Sequence, residues 1–258
     1  AQFEQAVQLS PDFAPAWSGL SDAYLWAGYN EGFLTATEAR PKARVAAETA
    51  VRLDANSAEA HTSLAVFKLF YEYDWDGCER EFRRAIALNP SYAFAHDQFG
   101  LALAFQGRID EAISEGKRAA ELDPLSPQIP IDAAMAFMFR GDTEAAKNLA
   151  SKAAELDPTY FFAPMAEGWA DSEVGKAGDA IPAFTRAKAM ESPAFVIAWL
   201  AYAYGVSGDR ARAMTELENL RKKSLRGQVA PFNLALVFLG LGYRPRTMEY
   251  LEPAYAAD

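Results

Sequence analysis

Residues 93–124 decide the fold, and they read AFAHDQFGLALAFQGRIDEAISEGKRAAELDP. The apolar residues of this stretch recur at helical spacing in two runs, which are separated by Gly107 and Arg108. The stretch ends at Pro124, and proline cannot continue a helix. The pattern therefore predicts two helices that are joined by a tight turn.

The ending of this stretch returns along the chain every 34 or 35 residues. Clean copies are Leu88-Asn89-Pro90, Leu122-Asp123-Pro124 and Leu156-Asp157-Pro158, and degraded copies are Leu53-Asp54-Ala55 and Met190-Glu191-Ser192. An alanine precedes each copy by three residues, at Ala50, Ala85, Ala119, Ala153 and Ala187. A fixed period of this length is typical of one supersecondary unit that is stacked many times. We therefore predict an all-α, right-handed α-α superhelix, that is, a solenoid.

The repeat predicts a single array of about seven helix pairs over residues 1–258. The expected units are 14–55, 58–90, 93–124, 127–158, 161–192, 194–224 and 229–258, with a linker around Ser224 to Gln228. Residues 1–11 read as the remnant of a preceding repeat helix, so we expect further sequence upstream.

Two of these units depart from the period. The first is ten residues too long, and its surplus lies between Gly28 and Pro41. We expect Thr37 to cap the second helix of this unit and Pro41 to lie in its first turn. The second unit carries one extra residue near Tyr73-Asp74-Trp75.

The composition of the chain disfavours several classes of function and structure. The formal net charge of −10 disfavours direct binding to a phosphate backbone. The single cysteine excludes an internal disulfide, and no apolar run is long enough to span a membrane. We take a cytoplasmic location as the default expectation.

The aromatic, Leu-Gly and Tyr or Phe positions of each first helix, followed by Ala, Phe and Ala on the second helix and then Pro, resemble the tetratricopeptide repeat (TPR) family. The resemblance covers nearly the whole chain. The long first turn, residues 71–90 and the ending 229–242 are similar to one bacterial subgroup. In that subgroup such arrays follow a winged-helix, nucleotide cyclase or protein kinase domain, so the resemblance implies an arm of a larger regulatory protein.

The resemblance also implies that the first helices line a concave face on which ligands lie. The residues that we expect on this face, and propose as peptide contacts, are mostly apolar: Trp26, Phe70, Phe94, Asp97, Leu101, Phe105, Ile131, Met135, Met138, Phe139, Phe162 and Trp169. Large apolar patches usually mark contact sites, and methionine and aromatic side chains suit adaptable recognition. Two interpretations stay open at this point: an apolar groove for a peptide or helix, or side chains that their own neighbours cover.

Some family members bind an acidic C-terminus through Lys, Asn and Arg on these helices. The matching positions here are Ser18, Asp22, Thr62, Asp97 and Leu101. None of them is basic, so the sequence disfavours that class of partner.

The sequence gives little support for a metal site or a catalytic nucleophile. His61 and His96 occupy the same repeat position and are interpreted as helix-packing residues, since no further ligands at metal spacing accompany them. Cys78 stands where the repeat favours alanine, which indicates a small buried residue rather than a nucleophile. We therefore predict no enzyme activity, no catalytic residue, no metal and no cofactor.

Two functions remain. The first is a non-catalytic scaffold that binds a protein or peptide segment in the groove. The second is self-association, because the last unit lacks an obviously polar capping helix. Phe3 at one end, and Tyr250, Leu251 and Tyr255 at the other, would then stack against another copy.

Overall fold

In the computed structural model, which describes residues 2–29, 34–224 and 229–256, helices account for nearly all of the secondary structure and no described residue lies in a strand. The helices are α1 (Gln2–Leu9), α2 (Ala14–Tyr29), α3 (Ala36–Leu53), α4 (Ala58–Phe67), α5 (Trp75–Leu88), α6 (Ala93–Phe105), α7 (Ile109–Leu122), α8 (Gln128–Phe139), α9 (Thr143–Leu156), α10 (Phe162–Glu173), α11 (Ala177–Met190), α12 (Ala194–Val206), α13 (Arg210–Ser224), α14 (Pro231–Gly240) and α15 (Arg244–Ala256). The prediction of an all-α chain is confirmed.

The chain divides into two compact units, residues 1–136 and 137–258. In the first unit, α2 packs on α3, α4 on α5 and α6 on α7. In the second unit, the corresponding pairs are α10 with α11, α12 with α13 and α14 with α15. In each unit the first helix of a pair also packs on a neighbouring pair, as α2 does on α4 and α12 does on α14.

Local sequence explains where the helices begin and turn. The Asp74 and Asp142 side chains accept hydrogen bonds from the Gly77 and Ala145 amides and so cap α5 and α9. Five glycines adopt the left-handed conformation between the helices of a pair, with φ of 75° to 87°: Gly107, Gly141, Gly175, Gly208 and Gly242. This conformation costs glycine little, and so these turns can be tight.

The start of α3 differs from the sequence prediction. Its N-cap is Thr35, whose hydroxyl accepts a hydrogen bond from the Glu38 amide while the Glu38 carboxylate accepts one from the Thr35 amide. This reciprocal pair fixes the helix start two residues before Thr37, so the prediction of Thr37 as the cap is wrong. Pro41 consequently lies inside α3 rather than in its first turn. Residues 30–33, which hold part of the surplus of the first unit, lie outside the described residues, as do residues 225–228 of the expected linker.

The extra residue of the second unit is absorbed by a π-helical segment, Lys68–Glu72, that continues α4. Tyr73 then takes a left-handed conformation with φ of 53° before Asp74 caps α5. A single inserted residue commonly widens one helical turn in this way, and such bulges are frequent at functional sites. The bulge places Phe70 against Trp26, at 5.9 Å between ring centroids.

In the second unit, α12 and α14 approach each other through glycine. A Cβ atom on Gly240 would lie 2.7 Å from the Tyr202 Cα, and one on Gly205 would lie 2.5 Å from the Gly240 carbonyl carbon. Both obstacles are backbone atoms, which a side-chain rotation cannot move. The packing of these two helices therefore requires glycine at both positions.

We predict that Gly240→Ala lowers the free energy of unfolding by about 1–3 kcal/mol, because the added methyl group forces α12 and α14 apart. Gly178→Ala is the matched control, because a Cβ atom at that helical position meets only the Ser207 Cβ at 3.6 Å. Thermal unfolding followed by circular dichroism should show a clearly lower midpoint temperature for Gly240→Ala and an unchanged midpoint for Gly178→Ala. Equal midpoints for both variants would contradict the close-packing account.

Candidate functional site

Eight of the twelve predicted contact residues belong to the first unit and lie on its first helices or on the π-helical segment that continues one of them. Phe105 is 40% exposed, whereas Asp97, Leu101 and Ile131 are buried. Trp26, Phe70, Phe94 and Met135 are partly buried. The structure brings Trp26 together with Phe70, and it packs Phe94 against Tyr92 at 6.2 Å between ring centroids. Five of these eight residues are thus exposed at least in part, and the other three are buried.

The remaining four predicted contact residues belong to the second unit. Met138 is buried and Phe139 is 48% exposed. Phe162 sits in an aromatic cluster with Phe161 at 4.3 Å and Phe195 at 5.9 Å between ring centroids, and Trp169 contacts Trp199 at 6.3 Å. In this unit the aromatic residues of successive first helices therefore pack against one another.

A polar cluster in the first unit was missed by the sequence prediction, apart from Asp97. It consists of Asp97 and Gln98 on α6 with Gln128 and Asp132 on α8. The Gln98 side-chain amide donates to Asp97 Oδ2 and to Asp132 Oδ2, both at 3.1 Å, and the Gln128 amide donates to Asp132 Oδ2 at 3.1 Å. Gln98 Oε1 is buried and has no hydrogen-bond partner among the described residues. Gln98 and Asp132 are 34 residues apart, so the repeat register was the signal that could have found the cluster.

The two carboxyls of this cluster are crowded by protein atoms. Burial raises the pKa of Asp97 well above its usual range, and the negative charge of Asp132 raises it further. Burial also raises the pKa of Asp132, and hydrogen bonds from Gln128, Asp97 and Gln98 lower it in part. Two carboxyls in contact in such a site are most stable when they share a proton. Ionisation of both carboxyls at once is therefore disfavoured in this environment.

Asp22, on α2, is a third carboxyl of the first unit that has no cationic partner among the described residues. Burial raises its pKa to about 6, and a hydrogen bond with the Ser63 side chain limits the increase. Asp22 Oδ1 is buried and has no hydrogen-bond partner within the described part of the chain. The charge of Asp22 also helps burial to raise the pKa of Tyr92 to about 12.

Buried carboxylates in the second unit have lysine partners. Asp171 and Glu216 are 6% and 8% exposed, close to the 3% of Asp97 in the first unit. Lys147 pairs with Asp171, and the Lys188 Nζ donates to both oxygens of Glu216 at 2.6 Å. The described residues of the first unit supply no such lysine to Asp22, Asp97 or Asp132. The two units therefore differ in how their buried acids are neutralised.

His61 and His96 make equivalent contacts in successive repeats. Nδ1 lies 2.5 Å from a Glu81 oxygen in one case and 2.6 Å from a Glu115 oxygen in the other. Nε2 faces the backbone carbonyls of Ala55 and Pro90, at 3.1 and 3.2 Å. Each histidine thus ties a first helix to its own second helix and to the turn before it. Among the described residues, no group of three or more His, Cys, Asp or Glu is placed to hold a metal ion.

Cys78 is fully buried on α5. Burial raises the pKa of its thiol to about 12, and the charges of Asp74 and Glu79 contribute to the increase. Nucleophilic cysteines need the thiolate, which this environment disfavours strongly. The residue therefore fills space in the helix pair, as alanine does in other units.

Comparisons with known proteins identify solved structures with a similar fold. No family model matches the chain, and no curated protein matches it. Among solved structures, PilF of Pseudomonas aeruginosa has a TM-score of 0.57 at 20% identity, with 81% of this chain and 90% of PilF covered. A thermophilic TPR protein of Thermus thermophilus, TTC0263, has a TM-score of 0.61 at 19% identity, with 76% and 99% covered. Human IFIT1 in its dimer with m7Gppp-AAAA has a TM-score of 0.70 at 17% identity, with 99% and 67% covered.

The fold is that of a tetratricopeptide array. The predicted solenoid class is thereby confirmed. Identities at or below 20% establish the fold and carry no statement about partners. Within the described part of the chain, no helix has the length and apolar character that crossing a membrane requires.

We predict that Asp22 makes stability fall as pH rises from about 4 to about 6. The folded state keeps the Asp22 proton up to its raised pKa, whereas the unfolded state loses it near the ordinary value of about 4. The free energy of unfolding of the native protein, relative to the Asp22→Asn variant, should therefore decrease across this window by up to about 3 kcal/mol.

Urea unfolding of both proteins at several pH values measures this difference. Asp123→Asn, which changes an exposed carboxylate of the same unit, should follow the native pH dependence. Parallel curves for the native protein and Asp22→Asn would show that Asp22 is not the group responsible.

Proposed function

We propose that the array is a non-catalytic interaction scaffold that binds a peptide or helical segment of a partner protein on the apolar face formed by its first helices. The observation that carries this proposal is the set of partly exposed aromatic and methionine side chains on the first unit, at Trp26, Phe70, Phe94, Phe105 and Met135. Large exposed apolar patches on soluble proteins usually mark contact sites. Because the face is carried by helices at regular spacing, an amphipathic helix or an extended apolar segment fits it best.

We further propose that the scaffold is a cytoplasmic arm of a larger bacterial regulatory protein. The support is the sequence resemblance to arrays that follow signalling domains. The partner class is a protein and not a nucleic acid. IFIT1 shows that this fold can accompany the capped oligonucleotide m7Gppp-AAAA. In this chain the net charge of −10 would repel phosphates.

We expect Phe105→Asp to reduce partner binding by about tenfold or more, since a charge at this position would have to be desolvated by an apolar ligand. Phe105 is 40% exposed, so the variant should fold. Leu125→Asp is the matched control, because Leu125 is 77% exposed in the turn that precedes α8. Capture from a bacterial lysate on immobilised protein, followed by peptide mapping of the retained protein, would identify the ligand and measure the loss. Equal retention by the native protein and both variants would refute a contact site at Phe105.

Self-association is the second candidate function, and the last helix pair favours it. Four apolar side chains of α14, α15 and the turn between them are strongly exposed: Phe232 at 53%, Leu239 at 51%, Tyr243 at 41% and Met248 at 53%. Tyr250, which the sequence suggested for this contact, instead stacks on Phe238 of its own unit at 5.5 Å. The side chain of Tyr255 lies outside the described residues. At the other end of the chain, Phe3 is 44% exposed and packs in part on Gly19.

If these four side chains form a contact between two copies, the mass measured by analytical ultracentrifugation should rise with protein concentration. The double variant Leu239→Glu with Met248→Glu should return the mass to the monomer value, because each carboxylate would be buried unpaired in the contact. Val206→Glu, at a position that is 49% exposed at the end of α12, should leave the association unchanged. A monomer mass at every concentration for the native protein would exclude this function.

A further inference from the structure

The acceptor oxygens of the Asp97–Asp132 cluster outnumber the donors that reach them. Two carboxyls and the Gln98 carbonyl oxygen are present, and the side-chain amides of Gln98 and Gln128 donate to the carboxyls alone. A proton shared by the carboxyls would form a hydrogen bond between them, but it would leave Gln98 Oε1 without a hydrogen-bond donor. That oxygen belongs to a residue with no exposed surface and has no partner among the described residues. An unpaired buried carbonyl beside two crowded carboxyls is costly, and one donor with positive charge would offset both costs.

The second unit shows one way in which buried acids of this chain are neutralised. Asp171 and Glu216 are neutralised by lysine ammonium groups, from Lys147 and Lys188. Asp97 and Asp132 make no ion pair among the described residues, although Asp97 is as deeply buried as those two acids. A lysine for this cluster must therefore come from outside the described residues of the unit.

The cluster reaches the surface through Gln128 and Asp132, which are partly exposed, whereas Asp97 and Gln98 are buried. Phe94 and Met135, which are partly buried, stand three residues from Asp97 and Asp132 on the same helices. Residues three apart on a helix lie on one face, so apolar side chains flank the acid pair. A ligand with an ammonium group on an apolar chain would match both features.

We propose that Asp97, Asp132 and Gln98 form an anchoring site for one ammonium group, that of a lysine side chain in the apolar segment that the scaffold binds. This proposal rests on the proposed function and deepens it by assigning a charge to the partner. The ammonium would enter beside the partly exposed Asp132 and would displace neighbouring side chains to donate to Gln98 Oε1 and to both carboxyls, and a proton shared by the carboxyls would leave to solvent. A divalent metal ion fits less well, because two carboxyls and one amide oxygen supply few of the six to eight oxygen ligands that calcium takes.

The test uses hexylammonium chloride as the probe, with hexanol as its uncharged match and magnesium and calcium chloride as metal controls. Two-dimensional NMR of the full chain reports on the Gln98 and Gln128 side-chain amides. Hexylammonium should shift these signals saturably, with half-saturation on the order of 1 mM, and hexanol should not. Calorimetry in buffers of different ionisation enthalpy should show that protons are released as hexylammonium binds.

Asp97→Asn with Asp132→Asn should weaken hexylammonium binding by about tenfold or more, and Asp123→Asn should leave it unchanged. The single variant Asp132→Asn changes a partly exposed residue and provides a second test if the double variant does not fold. Circular dichroism checks the folding of both variants directly. Equal shifts with hexanol, equal binding by the double variant, shifts only with a metal ion, or no shift at all would each overturn the ammonium site. None of these outcomes touches the apolar contact at Phe105, whose own variant tests the proposed function separately.

Discussion

The whole fold depends on how closely two helices can approach each other at one repeated position. Ala50, Ala85, Ala119, Ala153 and Ala187 each stand three residues before the end of a second helix, and all five are fully buried. A larger side chain there would separate the helices that each unit must pack together. A single helix pair cannot bury its apolar faces alone, so the pairs are stable only when they stack. The glycine contact between α12 and α14 is the extreme case of this constraint, because there the backbone of one helix touches the backbone of the other.

Stacking of this kind leaves the first helices free to carry binding residues, because the alanine positions already supply the packing. In the first unit these helices hold partly exposed aromatic and methionine side chains together with acids that have no cation among the described residues. In the second unit the corresponding positions hold Phe161, Phe162 and Phe195 in mutual contact, and the buried acids are paired with lysine. Asp171 and Glu216 are thus neutralised within the second unit, whereas Asp22, Asp97 and Asp132 have no lysine among the described residues of the first. This difference is why we place the recognition of a partner on residues 1–136.

Much of the fold could be predicted from the sequence, because prolines, glycines and alanines at a fixed period report directly on turns and helix contacts. Thr37 shows the limit of that reasoning. A threonine is a good cap in isolation, but Thr35 has Glu38 three residues later and forms a complete capping box, so the helix begins there. The π-helical segment at Lys68–Glu72 is similar: the count of residues revealed an insertion, but only the hydrogen bonds of α4 decide which turn widens.

The candidate site was less accessible to sequence reasoning. Apolar residues such as Phe105 and Met135 follow from the repeat register, whereas their burial depends on the neighbouring side chains. Asp132 was overlooked because its importance appears only when Gln98 and Asp97 are seen beside it. The measurement that tests the central claim most directly is photo-crosslinking in cells, with benzoylphenylalanine in place of Phe105 and, as a control, in place of Leu125. The account predicts a covalent adduct with a lysine-containing apolar segment of another protein at position 105 only. An adduct at neither position, or the same adducts at both, would contradict it.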